Sequence, residues 1–114
     1  MKIRAKDVLQ KKIEVQARTI KFVAYAVEWY NRGVGSYFSV RIVRQDDGAT
    51  LRTSPQRGYG DYYKQMALAA MNEAGWLPEE YKKAPYLYER DNDYPIEWRF
   101  SNGTKREMLR NIEE

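Results

Sequence analysis

From Tyr37 to Arg44 the chain alternates, with Phe38, Val40 and Ile42 on one side and Tyr37, Ser39, Arg41 and Val43 on the other. A period of two is the period of a strand, and no helix sorts these residues onto separate faces. Asp46, Asp47 and Gly48 follow directly, and Asp-Gly after a strand is hairpin chemistry. Ala49 to Thr53 therefore returns as a short strand with Leu51 inward. Upstream, residues 13 to 30 are rich in β-branched and aromatic residues and alternate as Ile13, Val15, Ala17 and then Val23, Tyr25, Val27, Trp29. This pattern predicts a long strand. Ile20 and Phe22 fall on the opposite face, which calls for a bulge near Thr19 or a strand buried on both sides. A helix from Thr19 to Arg32 closed by Gly33 is the competing reading, because Ile20, Val23, Val27 and Tyr30 also fit helical spacing. The Gly-containing segment Asn31 to Gly35 has hairpin length, so the strands join into an antiparallel meander.

One Pro and two Gly make residues 54 to 60 a loop leading into the clearest helix of the chain, Asp61 to Ala74. Asp61 stands at the cap position, and Tyr63, Ala67, Ala70, Met71 and Ala74 form an apolar stripe to cover the sheet. Gln65, Asn72 and Glu73 face water, and Gly75 and Pro78 end the helix. A turn of helix is expected near Pro78 to Lys83, then an apolar stretch at Tyr86 to Tyr88 and an acidic turn through Asp91 and Asp93. Ile96, Trp98 and Phe100 alternate as a further strand. Thr104 and Glu107 have capping-box spacing, which opens a C-terminal helix carrying Met108, Leu109 and Ile112. Residues 3 to 12 form a possible short helix in front, with Ile3, Val8 and Leu9 on one side. The fold class is α+β: a meander of three to four strands covered by one main helix, in the order β-β-β-α-β-α. Over about residues 3 to 75 the helix–strand order, with Phe38, Val40, Ile42 and the Ala69-Ala70 pair, resembles a double-stranded RNA-binding domain, whose fold is α-β-β-β-α. Tyr62 and Tyr63 stand where that family's helix offers basic residues to phosphates, so its function is not carried over.

A chain of 114 residues accommodates one core, and residues 1–114 read as a single domain. Hydrophobic residues at 43% supply enough apolar surface to offset chain entropy, so the chain folds. There is no Cys and no His. Disulfides, zinc fingers and thiol nucleophiles are thereby excluded, and so is the usual general base near neutral pH. Glu89, Asp91 and Asp93 around Asn92 lack the Gly and distal Glu of a calcium loop. No catalytic residue, cofactor or metal site is assigned, and the expectation is a binding protein rather than an enzyme. No apolar run reaches the roughly 18 residues of a membrane span. The start alternates charges with isolated apolar residues, unlike a signal peptide, so a cytoplasmic location is expected.

Charge is uneven. Residues 1 to 57 carry twelve Lys/Arg against five Asp/Glu, whereas residues 58 to 114 carry eight against eleven. The positive half is where a polyanion would be met, although an Arg-rich solvated surface has the same composition. Arg41, Arg44, Arg52 and Arg57 are the candidate phosphate contacts, with Tyr37 and Tyr59 as candidate stacking groups. Arg57 and Tyr59 belong to Gln56-Arg57-Gly58-Tyr59-Gly60, where Arg and Tyr between glycines can reach phosphates and bases, or where the glycines serve only a tight turn. The sequence thus points to a small basic binding module associated with nucleic acid. The alternative is a protein-binding regulator or inhibitor, such as a phage or mobile-element (anti-CRISPR-like) antagonist of a nucleic-acid-binding host protein.

Overall fold

A computed structural model of the chain describes residues 19–113. The expected helix over residues 3 to 12, and the part of the long strand before residue 19, lie outside them. Strands β1 (Phe22–Asn31) and β2 (Gly35–Arg44) form an antiparallel hairpin over their whole length, from Phe22 opposite Arg44 to Asn31 opposite Gly35. Residues 22 to 31 are thus strand, not the competing helix. In the hairpin every second residue of β1 joins the face that Phe38, Val40 and Ile42 build, and Phe22, Ala24 and Ala26 are buried there. As a helix the segment would have split that set.

The β2–β3 hairpin turns where Asp46-Asp47-Gly48 predicts, and β3 (Thr50–Arg52) sets Leu51 opposite Ile42. The loop expected at residues 54 to 60 contains a strand, β4 (Gln56–Gly58), paired with Ser36 to Phe38. Arg57 and two glycines hide this strand from a propensity reading, because the pairing is made by backbone groups of β2 and not by a hydrophobic pattern. Gly58 carries the Tyr62 ring: a Cβ added there would come within 2.3 Å of Tyr62 Cδ2.

Helix α1 (Tyr62–Glu73) crosses β2 and β3 and buries Met66, Ala67, Leu68 and Met71, with Tyr63 and Ala70 packed against the core. Met66 and Leu68 extend the expected stripe, while Ala74, its expected last member, is exposed at the C-cap. Asp61 holds the N-cap position but makes no side-chain capping bond, because its φ of −99° and ψ of 26° depart from the extended conformation that aims a cap oxygen at the first turn. After a 3₁₀ turn (Glu79–Tyr81) and helix α2 (Leu87–Asp91), the chain passes through Asp93 and Tyr94, both with left-handed φ, into β5 (Ile96–Asn102).

The largest departure from the expected meander is the place of β5, which pairs parallel with β1, from Phe22 beside Ile96 to Glu28 beside Asn102. Alternation tells which face each residue takes but not which edge a strand joins, and only β1 has an unpaired edge at this side of the hairpin. The sheet order is β3-β2-β1-β5, with β4 also on β2. A second departure follows from α3 (Lys105–Glu113), which lies on β1 and β2 across the face opposite α1. Its start is the expected capping box: Glu107 N–H donates to Thr104 Oγ1 (3.2 Å) and Thr104 N–H to Glu107 Oε1 (3.0 Å). Two faces are therefore covered, where one main helix was expected. Neither the parallel strand nor this second layer belongs to an α-β-β-β-α order.

Candidate functional site: an arginine row on the sheet

The α1 face is dry. Ala24, Ala26, Phe38, Val40, Ile42 and Ile96 pack with Met66, Ala67 and Met71, and the aromatic rings of Phe22, Trp76 and Tyr88 close one end. The opposite face carries Tyr25, Val27 and Trp29 of β1, Tyr37, Ser39 and Arg41 of β2, Arg52 of β3, Arg57 of β4 and Arg99 of β5. Its polar character follows from the same alternation, since every residue between two core positions must point here.

Helix α3 covers one end of this face. Ser39, fully buried, donates its hydroxyl to the Met108 carbonyl at 2.6 Å, and Asn111 Nδ2 donates to the Tyr25 carbonyl at 2.9 Å. These bonds satisfy polar groups that the helix would otherwise bury unpaired. Trp29 and Tyr37 stack beside the helix with centroids 5.4 Å apart, and Lys105 Nζ lies 5.5 Å from the Trp29 ring centre.

Beyond the helix, four strands contribute one residue each to a transverse row. Pairing sets Arg52 beside Arg41, Arg41 beside Tyr25, and Tyr25 beside Arg99. The Arg41 guanidinium lies over the Tyr25 ring at 4.5 Å and that of Arg99 approaches it at 5.6 Å. With strands about 4.8 Å apart, the backbone positions of the three arginines fall within about 15 Å. Arg41 makes no ion pair among the described residues, and its Nε is buried without a partner. Among the described residues it is the ring of Tyr25, and not a carboxylate, that holds this cation. Arg99 does have an acid, Glu97, at 2.9 Å on the same face. Arg110 of α3 adds a cation at a groove of about 250 Å³ between helix and row, lined also by Val27, Arg41, Ser101, Glu107 and Asn111. The Glu107 carboxyl is held below its ordinary value chiefly by the backbone N–H of Thr104 and its hydroxyl, and is committed to the cap.

Of the six residues singled out from sequence, Tyr37, Arg41, Arg52 and Arg57 share this face. Tyr37 is engaged with Trp29, and Arg57 lies across Gly35, whose added Cβ would stand 3.4 Å from Arg57 Nε. The other two lie elsewhere. Arg44 falls on the α1 face, where it caps the Trp76 ring at 4.5 Å and forms a two-pronged ion pair with Asp47. Tyr59, 78% exposed, stands in the link before α1. Tyr25, Arg99 and Arg110 were not singled out. Counting back through the Asn31–Gly35 hairpin sets Tyr25 opposite Arg41 and could have found the first; the other two depend on pairings between distant segments. Comparison with known protein families, characterised proteins and solved structures returned no match.

Proposed function

We propose that the chain is a binding module that holds the phosphate backbone of nucleic acid on the arginine row of its sheet. The observation that supports this reading most directly is the Arg52–Arg41–Tyr25–Arg99 row, in which, among the described residues, Arg41 is held by an aromatic ring and not by an acid. A cation fixed this way retains its charge and has lost part of its rotamer freedom before an anion arrives, which lowers the entropy cost of binding. Arg110 and Arg57 extend the positive field to either side, and phosphate contacts of this kind position a strand without reading its bases.

Titration of a labelled oligonucleotide at several salt concentrations tests the reading. Affinity should fall steeply with salt, because each neutralised phosphate releases condensed counterions. Arg41→Ala should reduce the magnitude of the log–log slope by about one on duplex DNA. Arg44→Ala, on the other face, should leave the slope unchanged. An absence of affinity for any nucleic acid at low salt would end the nucleic-acid reading in favour of a protein partner.

A further inference from the structure

The two edges of the sheet are finished differently. On the β2 side, β3 and β4 are three residues each and are parted by Thr53, Ser54 and Pro55. Thr53 closes the gap, accepting the Val40 N–H at its Oγ1 (3.0 Å) and donating its own N–H to the Val40 carbonyl (2.9 Å). Short strands and a proline are ordinary protection against pairing with another chain. The β5 edge has no such protection. It runs seven residues with no internal proline, and among the described residues no strand lies on its outer side. Phe100 points to the core-facing side with Ile96 and Trp98 and stacks on Tyr63 at 5.0 Å, yet is 41% exposed.

We propose that this edge receives a second copy of the chain, the two β5 strands pairing antiparallel about Trp98 to join two sheets into one. A two-fold axis normal to the sheet pairs only residues that share a face, so the register centres on a residue. Three registers pair at least five residues of each strand, centred on Trp98, Arg99 or Phe100. The Arg99 register sets two guanidinium groups directly opposite, which is destabilising. The Phe100 register sets Trp98 against Asn102 and leaves Glu97 beyond the partner strand. The Trp98 register places Glu97 opposite Arg99 twice, Ile96 opposite Phe100 twice, and Trp98 beside its own copy. Glu97 and Arg99 already meet within one chain at 2.9 Å, so pairing completes a four-membered charge cluster. The contact is isologous and closes as a dimer, as edge pairing through a two-fold axis requires. It goes beyond the nucleic-acid reading and does not depend on it.

Sedimentation equilibrium on the full chain tests the proposal and should show a monomer–dimer equilibrium. Arg99→Glu sets like charges opposite and should weaken the dimer at least about tenfold. Arg99 is exposed, so the variant should keep its fold, which a circular dichroism melt verifies. Glu97→Arg combined with Arg99→Glu restores opposite charges and should restore the dimer. A wild-type chain that stays monomeric up to about 500 µM overturns the proposal. So does an Arg99→Glu dimer of unchanged affinity, or a double variant no tighter than the single one. A dimer without oligonucleotide affinity would remove only the nucleic-acid reading.

Discussion

Arg41 and Arg44 share one strand, and the pleat sends them to opposite faces with different partners. Arg41 rests on Tyr25, whereas Arg44 is held by Asp47 at 2.7 Å beside Trp76. The Arg44 hydrogen bond, joined by the backbone N–H of Ala49, holds the Asp47 carboxyl at about 2 against an ordinary 3.8. A carboxyl depressed on folding contributes stability that is fully present above its unfolded value and is lost as pH falls through its folded value. The same sign holds for Glu107, whose pKa is also lowered. The melting temperature should therefore decline as pH falls from about 4 toward about 2. Asp47→Asn should be less stable at neutral pH and show a shallower decline, read by melts across that range. Both groups are exposed, so added salt should narrow the difference.

At the scale of elements, the two long helices are begun by different means. α1 has its aspartate at the N-cap without a capping bond and is held by its buried face of Met66, Ala67 and Met71. α3 buries only Met108 fully, and its reciprocal Thr104–Glu107 cap therefore carries a larger share of its stability. Thr104→Ala should destabilise the protein by about 1 kcal/mol. Chemical denaturation measures that loss. Fraying of α3 would also release Asn111 from the Tyr25 carbonyl and Arg110 from the edge of the row, so oligonucleotide affinity should fall with it on the reading proposed above.

For the whole molecule, β1 and β2 are the axis on which everything else is built. β1 pairs with β2 and β5, β2 with β1, β3 and β4, and both long helices rest on β2. Opening this hairpin means opening the entire core, while β4 joins the sheet through three residue pairs and is otherwise held by Tyr62, whose hydroxyl donates to Gln56. Native-state hydrogen exchange should show amides of Ala24, Ala26, Val40 and Ile42 exchanging only through global unfolding, and those of Gln56 to Gly58 through local opening. Equal protection across both groups would contradict this hierarchy.

The sequence by itself determined the faces. Alternation in residues 37 to 44, the Asp-Asp-Gly turn, the α1 stripe and the Thr104–Glu107 box are local signals, because each depends on neighbours within a few residues, whereas residues 22 to 31 fitted a helix as well as a strand until their pairing with β2 decided between them. Tyr37 and Arg41 could be placed on one face from that pattern alone. The partners were decided by tertiary structure. Strand β4 is defined by the backbone groups of β2 and has no hydrophobic signature of its own, while β5 aligns with β1 across most of the described chain. Arg99 enters the row, and Arg44 leaves it, through that register and through the parity of a single strand, where shifting the pairing by one residue would exchange the two faces.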